Sequence, residues 1–195
     1  MNCELRKVAL YFGSFNPIHK GHIGLGEYLL EHADVDELWY VVSPQNPLKQ
    51  KADLWDDVLR YRLACEATKH NPHLSVCDIE FHLSVPSYTV NTLRILSEKY
   101  KGYKFSLLIG ADNYQIFDKW YCYDEILRNY KIYVYPREGV EVDRNKFPQM
   151  NWLDAPLYPI SSTMIRERLK RGESIDDLVP FSVEVIEELI NKKVD

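Results

Sequence analysis

Short apolar runs along this chain alternate with stretches whose apolar residues return every three or four positions. Lys7 to Phe12 is a continuous run that ends at Gly13, and from Gly21 to Glu31 the residues Ile23, Leu25, Leu29 and Leu30 fall at helical spacing. This pattern predicts a strand, a loop and a helix. It repeats with strands at Glu37 to Val42 and Leu74 to Phe81, and helices around Val58 to Lys69 and from about Val90 to Tyr100. A strand at Phe105 to Ile109, apolar but for Ser106, follows, then a short helix from Asp112, another near Asp124 to Asn129, and a strand at Lys131 to Tyr135. The segment Arg137 to Pro156, with its prolines, a glycine and mixed charge, reads as an irregular excursion, and from Ser161 onward the chain reads as helices only.

Strands that alternate with helices and carry near-continuous apolar runs belong in a parallel sheet covered on both faces. The expected fold class is therefore doubly wound α/β with a C-terminal helical segment. In such a sheet ligands gather at the carboxyl ends of the strands near the point where strand order reverses, so the loops after Phe12, Ser43, Phe81 and Ile109 should converge on one site.

Composition narrows this picture by exclusion. With 195 residues, 46% hydrophobic and 27% charged, the chain is neither low-complexity nor wholly disordered, and its length fits a single domain, 1–195. A net charge of −5 offers no global positive field for nucleic acid or an anionic membrane, so neither is expected as a partner and any anionic ligand must be gripped locally. The apolar runs fall far short of the roughly 20 residues a membrane span needs, and MNCELRK lacks the apolar core of a signal peptide; a cytoplasmic location is expected. Cys3, Cys65, Cys77 and Cys122 form no C-x-x-C pair and suggest neither a zinc knuckle nor a disulfide framework. No metal-ligand cluster is visible. The oligomeric state stays open, a homo-oligomer included.

The most informative stretch is Gly13-Ser-Phe-Asn-Pro-Ile-His-Lys-Gly-His22, between the first strand and the first helix. Backbone N–H groups of Gly13 and Ser14, the positive end of the helix dipole and side-chain donors from His19 and His22 together suit a polyphosphate. A plain turn with two exposed histidines is the bland alternative. Ile160-Ser-Ser-Thr-Met-Ile-Arg166 offers a second grip: Ser161 or Ser162 can cap a helix whose free N–H groups face an anion, and Arg166 one turn on can reach the same point, unless it simply lies in water on a capped surface helix.

These two stretches resemble the G-[ST]-F-[DN]-P-x-H-x-G-H and I-S-S-T-x-I-R signatures of the nucleotidyltransferase superfamily, which implies a Rossmann-like fold and nucleotidyl transfer. Ser87-Tyr-Thr-Val-Asn-Thr-Leu93, Ile109-Gly-Ala-Asp-Asn113 and Lys119-Trp-Tyr121 narrow the resemblance to bacterial-type nicotinate-nucleotide adenylyltransferases, over nearly the whole chain. The resemblance implies adenylyl transfer from ATP to nicotinate mononucleotide with Mg²⁺ as cofactor. It places Gly13, Ser14, Phe15, His19, His22, Gly110, Asp112, Ser161, Ser162, Thr163 and Arg166 about ATP, with His19, His22 and Arg166 catalytic. Lys49, Ser87, Tyr88, Thr89, Trp120 and Tyr121 fall to the acceptor. Other acceptors (the amide mononucleotide or phosphopantetheine) and an inactive nucleotide-binding regulator are the alternatives.

The residues agree with that assignment. Trp120 offers a flat platform for a pyridine ring, and Thr89 with the backbone at Tyr121 can donate to its carboxylate, although a half-buried packing role suits Trp120 too. Asp112 can accept from two ribose hydroxyls or cap a helix. The chain departs from the family pattern at Phe12, where a glycine is usual and a bulky ring must point away from the triphosphate, and at Leu48, where a histidine is usual. Arg60 matches a family arginine but reads equally as an exposed salt-bridge partner.

Overall fold

The computed structural model describes residues 5–44, 54–84 and 87–191. Six parallel strands form one sheet in the order β3-β2-β1-β4-β5-β6. They are β1 (Arg6–Gly13), β2 (Glu37–Val42), β3 (Leu74–Cys77), β4 (Tyr103–Gly110), β5 (Lys131–Tyr135) and β6 (Asn151–Trp152). The helices are α1 (Lys20–His32), α2 (Asp57–Thr68), α3 (Thr89–Lys99), α4 (Ala111–Gln115), α5 (Tyr123–Asn129), α6 (Ser162–Lys170) and α7 (Val183–Asn191).

The two-residue period of the strands sorts their side chains between two cores. Ala9, Tyr11, Leu38, Tyr40, Leu108 and Tyr133 face one side, where Leu25 and Leu29 of α1, Leu63 of α2, Ile165 of α6 and Ile186 of α7 cover them. Val8, Leu10, Val41, Leu107, Ile109 and Val134 face the other, against Leu93 and Leu96 of α3, Tyr114 of α4 and Ile126 of α5. This is the doubly wound parallel architecture expected from the sequence. Strand order reverses between β1 and β4, so a crevice opens beyond Gly13 and Gly110 at their carboxyl ends.

Two expectations need correction. The strand expected to reach Phe81 stops at Cys77, and Ile79–His82 forms a 3₁₀ turn closed by Phe81 N–H on Asp78 C=O at 2.8 Å. Ile79 and Phe81 alternate as strand residues do, yet it is Glu80, between them, that is buried. The excursion after Arg137 contains a sixth strand, β6, paired with Tyr133 and Val134; two residues are too few to leave a periodic signal. Tyr114 fastens the rest of the excursion, donating from its hydroxyl to Asp143 C=O at 2.9 Å and accepting from Phe147 N–H at 3.0 Å. Among the described residues no helix is long and apolar enough to cross a membrane, and Cys65, Cys77 and Cys122 are unpaired thiols.

Candidate active site

The loop from Gly13 to His19 is built around an inward-turned aromatic ring. Phe15, with φ 43 in the left-handed region, folds its ring back beneath Gly13 and is buried edge-on against Tyr11, Tyr40 and His22. A Cβ at Gly13 would lie 2.8 Å from that ring, so glycine is what permits the fold-back. The Phe15 side chain therefore supports the loop from within. Phe12 packs on the opposite core, away from His22, as its bulk required.

His19 ends the loop and His22 stands one turn into α1, and their rings stack at 3.6 Å. The His19 N–H donates to His22 Nδ1 at 3.2 Å, so in the neutral tautomer the His22 proton sits on Nε2. His19 is only 6% exposed, and its Nδ1 is buried without a protein partner. Burial and the nearby Arg137 charge lower its pKa to about 4, so it is neutral at pH 7 and can donate without carrying charge.

That shift has a measurable consequence. A pKa depressed on folding means that the unfolded chain takes up a proton first as pH falls from about 6.5 toward 4. Stability from this group is fully present above pH 6.5 and is lost through that window, by about 3 kcal/mol. His19→Asn should flatten the fall; denaturant titrations of both proteins at pH 7, 5.5 and 4 check it, and parallel falls would contradict it.

The second motif reaches the same loop from the far end of the chain. Ser161 caps α6, its Oγ accepting from Met164 N–H at 3.1 Å, while Ser162 Oγ donates to Pro17 C=O at 2.9 Å. Arg166 Nη1 donates to Asn16 C=O at 2.9 Å and Nη2 to Thr163 Oγ1 at 3.4 Å. The guanidinium is thus held at the H-x-G-H loop rather than lying loose in water.

Asp112 lies in the first turn of α4 beyond Gly110, where a Cβ on Gly110 would collide with its carboxylate. It caps no helix; its Oδ1 sits 3.5 Å from Arg137 Nε. The same guanidinium lies over the Tyr135 ring, whose hydroxyl pairs with that of Tyr11 at 2.8 Å. Arg137 thereby links Asp112 to the histidine loop. Nothing in its irregular sequence context marked it, although its place just after the carboxyl end of a parallel strand, β5, was a usable signal.

The other cluster forms where α3 begins. Tyr88 precedes the helix, Thr89 opens it, and the exposed rings of Tyr88 and Tyr121 meet at 4.9 Å. This contact brings Ser87–Thr89 together with Trp120–Tyr121. Trp120 itself is half-buried, tilted on Phe117 at 5.3 Å, and its N–H donates to Phe117 C=O at 3.0 Å. Lys49 and Leu48 lie outside the described residues.

Arg60 is no exposed ion-pair partner. It is fully buried, and its guanidinium donates to the carbonyls of Ser14, Ser43 (2.9 Å), Pro44 (3.2 Å) and Trp55 (3.0 Å). It clamps the loops after β1 and β2 together, satisfying carbonyls that neither strand can pair. Burial pushes its pKa down from the ordinary guanidinium value, with Asp57 and Asp56 acting against that.

The chain resembles known proteins over most of its length. The cytidylyltransferase-like family model matches residues 10–168. A protein of Bacteroides fragilis described as a probable nicotinate-nucleotide adenylyltransferase is 46% identical over 170 residues, covering 87% of this chain and 85% of its own. One of Flavobacterium johnsoniae with the same description is 46% identical over 180 residues, covering 91% and 93%. The fold matches that of Plasmodium falciparum nicotinic acid mononucleotide adenylyltransferase, solved in complex with NaAD, at a TM-score of 0.75 with 18% identity over 96% of each chain. The chain belongs to the cytidylyltransferase-like family, and within it to the nicotinate-nucleotide adenylyltransferases.

Proposed function

We infer that this protein transfers the adenylyl group of ATP to the 5′-phosphate of nicotinate mononucleotide, forming nicotinate adenine dinucleotide and pyrophosphate on the way to NAD. The observation that carries the reading is the meeting of two distant motifs: Arg166 donates to the carbonyl of Asn16 beside the stacked pair His19 and His22. Donors from both ends of the chain then face one crevice at the reversal of strand order, where a triphosphate fits.

In the reaction a phosphate oxygen of the mononucleotide bonds to the α-phosphorus while the bond from that phosphorus to the β-bridging oxygen breaks, and pyrophosphate leaves with the electron pair. No enzyme nucleophile is required. The protein's contribution is positioning and stabilisation of charge. His19 and His22 serve the α- and β-phosphates as donors, and Arg166 the β/γ end. Gly13, Ser14 and the backbone at Phe15 line the phosphate path, with Ser161, Ser162 and Thr163 forming the second wall. Asp112, beyond Gly110, accepts from the ribose of ATP. Ser87–Thr89 and Trp120–Tyr121 receive the nicotinate half. One sheet carries every layer among the described residues, which supports reading 1–195 as a single nucleotidyltransferase domain.

Mg²⁺ enters as part of the nucleotide substrate. The groups facing the loop are donors, and the ion would be held by phosphate oxygens and water. Pyrophosphate release from ATP with nicotinate mononucleotide tests the reading. Turnover should require the acceptor, vanish in excess chelator and return with Mg²⁺, because pyrophosphate leaves poorly unless its charge is offset. Release that ignores the acceptor, or full activity in chelator, would contradict it.

A further inference from the structure

Glu80 is a buried carboxylic acid that the reaction has no use for. It is 3% exposed, in the 3₁₀ turn after β3. Its partners among the described residues are hydroxyls and no cation: Thr92 Oγ1 of α3 donates to Oε1 at 2.9 Å, and the side chains of Ser43 and Ser87 lie near enough to the carboxyl to favour its charged form. Burial pushes its pKa up, while these hydroxyls act the other way. An acid placed this deep without a counter-ion is costly, and an apolar residue would fill the space more cheaply.

What the carboxyl provides is connection. Each hydroxyl comes from a different part of the chain: Ser43 from the end of β2, Ser87 from the loop before α3, and Thr92 from α3 itself. Ser43 is in turn tied to the phosphate loop, its N–H donating to Gly13 C=O at 2.9 Å and its carbonyl accepting from Arg60, which also holds Ser14. A continuous path of neighbouring polar groups therefore runs from Gly13 and Ser14 through Ser43 and Glu80 to Ser87 and Thr92, at the start of α3.

We propose that Glu80 is a positioning residue for the acceptor half of the reaction, a buried brace that fixes the Ser87–Thr89 segment relative to the phosphate loop. Ser87 then acts through Glu80 rather than by touching substrate. This rests on the assignment of Ser87–Thr89 to the acceptor; the brace itself does not, and its test separates the two.

The test compares wild type with Glu80→Ala, Glu80→Gln, Ser87→Ala and the double variant Glu80→Ala/Ser87→Ala. Glu80→Ala should raise KM for the acceptor about 10-fold with KM for ATP within about twofold, the loss expected from hydrogen bonds to an ionisable group. Glu80→Gln should recover much of it, since its amide oxygen still accepts. The double variant should be no worse than Glu80→Ala, whereas a Ser87 that touched substrate would add its own loss. Amide exchange of the free proteins reads the brace without any substrate: residues 87–93 should exchange about 10-fold faster in Glu80→Ala and Ser87→Ala, with β1 unchanged. Should Glu80→Ala fail to fold, Ser87→Ala and Glu80→Gln carry the same comparison. Equal shifts in both KM values, additive losses, or unaltered exchange at 87–93 would overturn the brace. Wild type that used no nicotinate mononucleotide would overturn the acceptor assignment, and exchange would still decide the brace.

Discussion

His22→Ala is expected to lower kcat by about 100-fold or more while the protein stays folded. The magnitude follows from what one preorganised donor aimed at developing phosphoryl charge is worth in a site that excludes water. The tautomer makes the argument specific. His22 Nδ1 is engaged by the His19 N–H, so on the proposed phosphate assignment the donor would be Nε2. His22→Gln, whose amide nitrogen reaches about as far as Nε2, should recover part of the loss, and His22→Asn, which reaches only as far as Nδ1, should not. Arg166→Ala should cost a similar factor. Part of its loss will appear in KM for ATP, because Nη1 also holds the Asn16 carbonyl and so shapes the loop. Steady-state kinetics of the four variants, with folding checked by circular dichroism, decides it. Near wild-type turnover in His22→Ala would falsify the phosphate assignment.

The doubly wound sheet was legible because its signal is local and repeated. Runs such as Phe105 to Ile109 are apolar but for Ser106 since both faces of the strand are covered, and Leu25 and Leu29 recur at the spacing of one helix face. What escaped was whatever depends on partners far along the chain. Arg60 looks like any helix arginine; its burial depends on carbonyls from two loops that only the fold assembles. Glu80 reads as the polar position of an alternating strand, and three hydroxyls drawn from Ser43 to Thr92 make it an interior residue instead. The β6 pair is set by its neighbour β5 rather than by its own two residues. In the candidate site, the H-x-G-H and S-S-T-x-I-R stretches announced themselves by order and spacing. Arg137 did not, because its importance lies in standing between Asp112 and His19.

The acid mononucleotide should be preferred over the amide by about 10³ or more in kcat/KM. The start of α3 supplies the reason. Helix α3 opens at Thr89 with Tyr88 before it; Asn91 and Thr92 N–H both donate to Tyr88 C=O, which leaves the N–H groups of Thr89 and Val90 outside the helical ladder, and the dipole there favours a negative charge. On the proposed acceptor assignment, a carboxylate would satisfy those donors and the Thr89 hydroxyl together. The amide brings no charge and turns an NH₂ toward them, leaving buried donors unpaired at a cost of several kcal/mol. The aromatic wall contributes binding more than discrimination. Trp120→Ala should raise KM for the acceptor about 10-fold, in proportion to a lost stacking contact, with little change for ATP. Because Trp120 also packs on Phe117, the alanine will lower stability, and Trp120→Phe should return stability along with part of the binding. Tyr121→Ala gives the cleaner comparison, since that ring is exposed and meets only Tyr88 among the described aromatic rings. Measuring kcat/KM for both mononucleotides in wild type and these variants separates the two ideas. Equal use of acid and amide would remove the donor argument at α3, and a Trp120→Ala protein impaired only toward ATP would move that side chain to the nucleotide half of the site.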